Sequence, residues 1–377
     1  MRLVASSLCL SIVLAIVGVA GCDRSGPTTP NVLVPKSHHT ASGFKNNYIG
    51  AVEKPFPDLL RWRYAAFVAG LPPEPKQLTP VQAPDLASIQ ANGRAGSAME
   101  PMATWIGHAT TLVQADGLNV LTDPIFSQHA APVQWIGPSR QQPPGVAMKD
   151  LPHIDVVVIS HNHYDHLDRQ SVFELDQRAK NAGRETVFLV PLGLKAWFAN
   201  LGIERVVELD WWDKYSIRGV DFHLAPVQHW SARTMLDRSQ TLWGGWAVFG
   251  AGFNWYFSGD SGYSKDFSDT RRHFSSRAAD QGLGPLFDLA LLPVGAYEPR
   301  WFMAEQHMNP REAAQTHRDL GAARSIGVHW GTFNLTDEAL DRPPVELAAA
   351  KRSLGLTDDE FSLLKIGQSR RFERRRR

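Results

Sequence analysis

The sequence is poor in cysteine and nearly neutral, and each shortage excludes a class of protein. Its 377 residues include two cysteines, which is too few for a disulfide-rich scaffold. A formal net charge of +1 gives no field of one sign, so we predict no nucleic-acid partner. Hydrophobic side chains make up 43% of the chain, which is ample for a core. The composition therefore predicts a globular protein held by its core rather than by disulfides.

Long apolar segments are also missing, except at the amino terminus. The stretch that ends at Ala20 is too short for a spanning helix, and Val19-Ala20-Gly21-Cys22 looks like the cleavage site of a bacterial lipoprotein signal. We expect residues 1–21 to be removed and Cys22 to be lipidated, which would anchor the protein in a membrane of the bacterial cell envelope, facing the periplasm or the exterior. The alternative is an ordinary secretory signal. In both cases Cys9 is lost, so no disulfide forms in the mature chain.

Composition divides the rest of the chain into four parts. Residues 22–43 are rich in Pro, Ser and Thr and predict a tether. Residues 44–99 predict an extension packed on the main domain, with a helix over Pro57–Ala69 that alternatively contacts a membrane. Residues 100–370, where short apolar strands alternate with helices, predict the catalytic domain. Residues 371–377 predict a solvated, frayed basic tail.

The strongest local signal is a cluster of histidine and aspartate after the apolar strand Val156–Ile159. It reads His161-x-His163-x-Asp165-His166. Because side chains alternate along an extended chain, His161 and His163 point the same way and can reach one metal ion. The following turn brings Asp165 and His166 toward a second ion. The alternative is a polar turn that is rich in histidine by chance, but so many groups that are costly to desolvate predict a metal site.

Three other predicted strands each end in a residue that can bind metal, namely His229, Asp260 and His329. Each of them alone is also compatible with an ordinary polar strand end. Together with the first cluster they predict two ions, with Asp260 bridging them. The predicted ligands are His161, His163 and His229 for one ion, and Asp165, His166 and His329 for the other. Histidine and carboxylate suit two Zn²⁺, and Fe or Mn remain alternatives.

Several segments resemble the metallo-β-lactamase fold superfamily, and within it the N-acyl-phosphatidylethanolamine-hydrolysing phospholipase D family, here as a bacterial lipoprotein member. The His-x-His-x-Asp-His core is similar to the superfamily as a whole. The segments similar to that branch are Trp105–Thr110, Leu121–Phe126, Tyr297–Phe302, Gln306–Pro310 and His329–Phe333. The likeness runs from about residue 100 to about residue 370. Ser139-Arg140 stands where the family tends to have a basic pair, so we do not assume the same head-group preference.

The resemblance implies an α/β fold, the αββα four-layer sandwich, and the interleaved strands and helices agree with it. It implies that the seven residues above correspond to the family's two-zinc ligands. The implied activity is that of a phosphodiesterase of phospholipase D type, which releases N-acylethanolamine and phosphatidic acid from a phospholipid substrate. Paired ions lower the pKa of a shared water, so the hypothesis is attack by a metal-bridging hydroxide. The alternatives are a metal-dependent lactonase or small-molecule phosphodiesterase of the same fold, and a non-enzymatic envelope lipoprotein.

Two residues are candidates for orienting the predicted metal ligands through hydrogen bonds. Asp123 resembles the early aspartate that orients a ligand in this superfamily, and its alternative is a turn-forming Asp-Pro. His108 follows a glycine and is either such a support or purely structural.

Substrate contacts are predicted near a second segment. His307 precedes a helix that Asn309 is expected to cap, and helix amino termini favour anions. We therefore predict that Tyr164, Gln306 and His307 bind the phosphate or head group. The predicted catalytic residues are Asp165, Asp260 and His307.

Overall fold

The computed structural model describes residues 36–276 and 285–375, which include all seven predicted metal ligands. The predicted signal peptide, Cys22 and residues 23–35 of the predicted tether lie outside these ranges. Within them, no helix is both long enough and apolar enough to cross a membrane.

The strands are short and rich in β-branched and aromatic residues, which fit a buried pleated surface. They are β1 (His39–Thr40), β2 (Gly43–Phe44), β3 (Met102–Gly107), β4 (Thr110–Ala115), β5 (Leu118–Thr122), β6 (Val156–Val158), β7 (Val187–Pro191), β8 (Val206–Leu209), β9 (Lys214–Ile217), β10 (Val220–Ala225), β11 (Gly245–Phe249), β12 (Asn254–Phe257), β13 (Leu289–Pro293), β14 (Ser325–Val328), β15 (Phe361–Leu363) and β16 (Ser369–Arg371). The helices are α1 (Phe56–Ala69), α2 (Leu86–Gly93), α3 (Arg169–Asn181), α4 (Lys195–Ala199), α5 (Asp266–His273), α6 (Arg300–Met303), α7 (Pro310–Leu320) and α8 (Arg342–Leu354).

The longer strands form two seven-stranded sheets, and β1 and β2 form a separate hairpin. The first sheet has the order β16-β3-β4-β5-β6-β7-β8, and the second has the order β15-β14-β13-β12-β11-β10-β9. Strands β5 to β8 run parallel, as do β12 to β15. Strand β10 runs in the same direction as β12, because both are antiparallel to β11. The carboxyl ends of β10, β12 and β14 therefore lie at one edge of the second sheet.

Alternate residues of β6 belong to two different cores, which demonstrates the layering. Val156 and Val158 pack in the core between the sheets, together with residues of the second sheet. Val157 packs on the other face with Val172 of α3 and Phe198 of α4. This alternation follows from the two-residue period of a strand. On the outer face of the second sheet lie α7 and α8, so the predicted αββα sandwich is confirmed.

Helix α7 begins and ends where the sequence predicts. The side chain of Asn309 accepts from the backbone N–H of Glu312, and Glu312 in turn accepts from the backbone N–H of Asn309. Gly321 ends the helix in the left-handed conformation, with a φ of 67°.

The amino-terminal end is packed more tightly than predicted. The tether predicted for residues 22–43 is wrong for residues 36–43, because His38 and His39 bond the carboxylate of Asp210 at 2.6 and 3.0 Å. Composition indicates a polar segment but does not reveal a partner so far along the chain.

The carboxyl-terminal end is also ordered. The frayed tail predicted for residues 371–377 is wrong for residues 371–375. Strand β16 pairs with β3, and the guanidinium of Arg375 bonds Asp288 at 2.6 Å.

Helix α1 lies on the domain along one narrow side. Trp62 packs against Phe302, and its indole N–H donates to Asp337 at 2.8 Å. On the remaining surface Tyr64 and Phe67 are 71% and 65% exposed. The helix therefore presents large apolar side chains outward, which is unusual for a face with no partner.

Candidate metal centre

Five strand ends deliver the candidate ligands and their supports to one place between the sheets. Asp123 follows β5, His161 follows β6, His229 follows β10, Asp260 follows β12 and His329 follows β14. At this edge the sheets are tied directly, because the indole N–H of Trp246 donates to the Ile159 carbonyl at 2.9 Å. Polar loops at the carboxyl ends of parallel strands are where α/β sheets usually bind ligands.

Three imidazoles form the first group, which we call the three-histidine group: His161, His163 and His229. The Nε2 of His161 lies 2.8 Å from the Nδ1 of His163, and the Nε2 of His229 lies 3.3 Å from that same atom. Two nitrogens on a tetrahedral zinc ion are about 3.3 Å apart, given Zn–N distances of about 2.0–2.1 Å. The spacing fits one such ion.

The second group, which we call the mixed group, consists of Asp165, His166, Asp260 and His329. Its ligand atoms converge: the Nε2 of His166 lies 3.0 Å from Asp260 Oδ2 and 3.4 Å from Asp165 Oδ2. The Nε2 of His329 lies 3.2 Å from the same two oxygens. Asp260 also acts on the three-histidine group, since its charge opposes the lowering of the pKa of His163 and His229. It therefore lies where a shared ligand would be needed.

Asp123 lies directly behind both groups. One of its carboxylate oxygens accepts from Nδ1 of His166 at 2.6 Å and from the hydroxyl of Ser160 at 2.5 Å. The Ser160 oxygen in turn lies 2.9 Å from Nδ1 of His161. Because these contacts use the Nδ1 atoms, the Nε2 atom of His161 faces His163 and that of His166 faces Asp260, where each could bind an ion. Sequence reasoning missed Ser160, for which its place before His161 was the available signal.

Gln306 does not have the place predicted for it. Its side chain is 4% exposed; the amide oxygen accepts from the Trp230 indole at 2.6 Å and the amide nitrogen contacts Met303. The predicted substrate contact by this side chain is therefore wrong. Its backbone carbonyl instead accepts from Nδ1 of His229 at 2.9 Å, which directs Nε2 of His229 inward.

The other predicted substrate residues lie around the centre. Nδ1 of His307 is 3.7 Å from Asp260 Oδ2, and its ring is 5.3 Å from that of His229. The hydroxyl of Tyr164 donates to the Arg233 carbonyl at 3.0 Å, and the Arg233 guanidinium stacks on the Tyr164 ring. His307 thus borders both groups, while Tyr164 is bonded to the loop after Trp230.

His108 contacts the mixed group through Asp165, with Nε2 2.9 Å from Asp165 Oδ2. Its backbone has a φ of 53°, and those of Asp123 and His329 have φ values of 30° and 60°. Non-glycine residues rarely adopt such angles, and they concentrate at functional sites. A hydrogen bond of 2.9 Å from the N–H of His329 to the carbonyl of His108 joins two of these backbones.

Burial and charge set opposite protonation states in the two groups. Burial lowers the pKa of His163 and of His229 to about 3, so both rings stay neutral and keep a lone pair for a metal. Burial alone would also lower the pKa of His329, but Asp260 and Asp165 raise it to about 9. Burial would raise the pKa of Asp260, yet the neighbouring imidazoles hold it well below its usual range. The mixed group therefore carries carboxylates that attract a cation.

Several buried polar atoms at the centre lack hydrogen-bond partners, although such atoms are normally satisfied. They are His163 Nε2, His166 Nε2, Asp260 Oδ1, His307 Nδ1 and His329 Nδ1. The Nε2 of His166 has Asp260 Oδ2 at 3.0 Å but not in hydrogen-bond geometry. Divalent ions would satisfy Nε2 of His166 and Oδ1 of Asp260 and would be held by the closely spaced imidazole nitrogens of the three-histidine group, so the residues present fit two ions.

Comparisons with known proteins match the chain to one superfamily. The profile of a family described as the β-lactamase superfamily domain matches residues 118–330. The chain is 41% identical over 240 residues to N-acyl-phosphatidylethanolamine-hydrolyzing phospholipase D 1 of Caenorhabditis elegans, which is 61% of this chain and 64% of that protein. It is also 41% identical over 262 residues to an uncharacterized protein of Mycobacterium tuberculosis, which is 68% of this chain and 65% of that one. The matches thus span less than two thirds of these relatives.

Solved structures share the fold at low identity. A possible metal-dependent hydrolase from Veillonella parvula superimposes with a TM-score of 0.55 at 15% identity, over 72% of this chain and 100% of that one.

Proposed function

Because the chain belongs to the β-lactamase superfamily, we propose that it is a metal-dependent hydrolase, and specifically a zinc phosphodiesterase of phospholipase D type. The proposed substrates are N-acyl-phosphatidylethanolamine-like phospholipids, and the products are N-acylethanolamine and phosphatidic acid. The observation that carries the proposal is the convergence of seven buried or half-buried histidine and aspartate side chains, with unpaired ligand atoms, at one edge of two sheets. The 41% identity to the nematode phospholipase supports the substrate class.

The three-histidine group would hold one ion, the mixed group would hold the other, and Asp260 would contact both. Two such ions would polarise a phosphodiester. They would also lower the pKa of bound water, so that hydroxide would be available at neutral pH. Asp123 and Ser160 fix the rings of His161 and His166, so the ligands need little reorganisation when an ion binds.

His307 would contact the phosphate. Burial lowers the pKa of His307 to about 3, so the ring is neutral and carries a single N–H at neutral pH. Its Nδ1 is unpaired, and the ring borders both groups. A neutral N–H in this position can donate to a phosphoryl oxygen without repelling the ions.

A lipid substrate is supported by the apolar surface of α1. Tyr64 and Phe67 are exposed there, and Trp301, which is 52% exposed, follows on α6 with Arg61 stacked on its ring at 4.9 Å. Exposed aromatic side chains beside arginine suit a membrane interface with anionic head groups. The surface is linked to the centre along the chain, since α6 is followed by Gln306, whose carbonyl accepts from His229.

Lipidation of Cys22 and a place in the bacterial cell envelope are part of the same proposal. A lipid anchor would keep the enzyme at the membrane that contains its substrate. Globomycin-sensitive processing and labelling with a palmitate analogue would test this anchor separately from the activity.

The activity is tested with the full chain, loaded with Zn²⁺ and supplied with vesicles that contain an N-acylated phosphatidylethanolamine. Parallel reactions contain a water-soluble phosphodiester and a lactone. We expect release of N-acylethanolamine and phosphatidic acid, detected by mass spectrometry. Turnover of the lactone or of the soluble diester alone would support a hydrolase but would overturn the proposal that its substrate is a lipid.

A further inference from the structure

An asparagine near the amino terminus bonds both backbone groups of a candidate metal ligand. The N–H of His229 donates to Oδ1 of Asn46 at 2.9 Å, and Nδ2 of Asn46 donates to the His229 carbonyl at 3.0 Å. Both residues are buried, with Asn46 2% and His229 0% exposed. The two residues lie 183 positions apart in the chain.

The backbone of His229 needs such a partner because it has left the sheet. Strand β10 ends at Ala225, and Gln228 still makes an isolated antiparallel bridge to Gly262. One residue later, the amide of Asn46 supplies the donor and the acceptor that a neighbouring strand would have offered. A carboxamide can do this because it has the same donor and acceptor as a peptide group.

Two sets of contacts then fix the ligand completely. Asn46 holds the backbone of His229, and the Gln306 carbonyl holds its Nδ1. The ring is left with one direction for Nε2, which is toward the other two members of the three-histidine group. We propose that Asn46, carried by the amino-terminal arm (residues 36–54), is a positioning residue for His229 at the three-histidine ion site; this rests on the proposed metal-dependent function.

The arm is secured independently of the metal centre. Asp210 bonds His38 and His39, and the N–H of Phe44 donates to the Ser239 carbonyl at 2.8 Å. Further along, the guanidinium of Arg238 donates to the Val52 carbonyl. The arm also lies outside residues 118–330, where the family profile matches. The matched domain alone would therefore lack one of the contacts that orient His229.

The test measures zinc affinity of the full chain by competition with a chromophoric chelator, for wild type and for Asn46→Ala. We expect about 10–100-fold weaker binding at the three-histidine site, as for other residues that orient metal ligands, and unchanged binding at the mixed site. When both proteins are loaded with Co²⁺, the absorption spectrum of the three-histidine site in Asn46→Ala should differ from that in the wild type. Equal zinc affinity and an unchanged Co²⁺ spectrum in Asn46→Ala would overturn the proposal.

Asn47→Ala is the matched control. Asn47 lies in the same arm and its amide donates to Asp266 at 2.7 Å, without contact with His229. We expect wild-type zinc affinity in this variant. A loss equal to that of Asn46→Ala would mean that the arm matters only for folding, and would overturn the positioning role.

Asn46→Asp keeps the proposal testable if Asn46→Ala folds poorly, and a double-mutant cycle extends the test where Asn46→Ala folds. Asn46→Asp retains an acceptor for the His229 N–H but places a carboxylate oxygen against the His229 carbonyl, so we expect a loss of affinity at the three-histidine site. In a double-mutant cycle, Asn46→Ala should have no additional effect on zinc affinity once His229→Ala is present. Additive losses would overturn the proposal. Absence of zinc binding by the wild-type chain would contradict this inference and the proposed function together, whereas zinc binding without lipid hydrolysis would contradict the proposed function alone.

Discussion

Two clusters in this protein are built from histidine and aspartate, and they differ in what their polar atoms contact. In the amino-terminal cluster, Asp210 accepts from His38, His39 and the backbone of Trp211, and it is paired with Lys36 at 3.1 Å. In the central cluster, formed by the three-histidine and mixed groups, several buried ligand atoms have no hydrogen-bond partner. Both clusters have the composition and spacing of a metal site.

The difference shows that residue type and proximity do not suffice to identify a metal site. A cation already occupies the amino-terminal cluster, as the ammonium of Lys36, and every carboxylate oxygen is used. The central cluster has carboxylates and imidazoles that are held from behind, by Asp123 and by the Gln306 carbonyl, with their free atoms facing each other. Unpaired ligand atoms, rather than the residues themselves, distinguish the two.

The largest difference is expected between His163→Ala and His39→Ala. Loss of His163 removes an ion ligand and should lower turnover about 10³-fold or more, because an ion contributes several kcal/mol to the transition state. His39→Ala should retain two zinc ions and most of the activity. Metal analysis and initial rates on the two purified variants check this. Equal losses in both would abolish the distinction between the clusters.

Acidification should destabilise the metal-free protein through the central cluster. Burial lowers to about 3 the pKa of two of its histidines, His163 and His229, and of two histidines beside it, His108 and His307. In the unfolded chain these groups bind protons below pH of about 6.5, so unfolding takes up protons and stability falls as the pH drops from about 6.5 toward 3. The limit is about 1.4 kcal/mol for each pH unit and each such histidine.

His329 and Asp210 do not change stability in this pH range. The pKa of His329 is raised to about 9, so its contribution is complete below about pH 6.5 and changes only at higher pH. In the amino-terminal cluster, burial would raise the pKa of Asp210, but His38 and Lys36 lower it to about 2, so that contribution is lost only below about pH 3.8. Melting temperatures of the chelator-treated protein at pH 7, 6 and 5 measure the effect. A constant melting temperature over this range would contradict it.

Asp123→Asn and Asp210→Asn compare the two buried carboxylates directly. Asp123→Asn should weaken zinc binding about 10–100-fold, because the amide is uncharged and replaces one of the two acceptor oxygens that bond Ser160 and His166 with a donor. Zinc binding should weaken at the mixed group, which contains His166, and also at the three-histidine group, because Asp123 reaches His161 through Ser160. Chelator competition measures the affinities, and unchanged affinity at both groups would contradict this role.

The smallest effect is expected for Asp210→Asn. This change leaves one donor of the amino-terminal cluster without its acceptor and should reduce the free energy of unfolding by about 1–3 kcal/mol. Two zinc ions should still bind at saturation. Denaturant unfolding and metal analysis test both statements, and a chain with one zinc ion would show that this cluster is not purely structural.

Local patterns in the sequence predicted what depends on neighbouring residues. The αββα architecture was implied by the resemblance and agreed with the alternation of strands and helices, and α7 was bounded by Asn309 and Gly321. The seven candidate ligands could be found because each follows an apolar strand, and parallel strand ends meet at one edge.

What the sequence did not predict depends on contacts between distant residues. Asn46 and His229 are 183 positions apart, and His38 and Asp210 are 172 positions apart, so no periodicity connects them. Gln306 was assigned by its side chain, yet it acts through its backbone carbonyl, which no residue type reveals. These pairings form only in the folded protein, and each one gives a residue a role that differs from the one its sequence context predicted.

The pairing of β16 with β3 bears on how the protein avoids self-association. All six residues of β3 are buried, and without β16 its outer row of N–H and C=O groups would be an open sheet edge, which is a template for joining another chain. The covering strand has three residues, of which two are Arg370 and Arg371. Short, charged edge strands discourage further pairing. By covering the edge of β3, the short basic strand β16 therefore opposes edge-to-edge association with another chain.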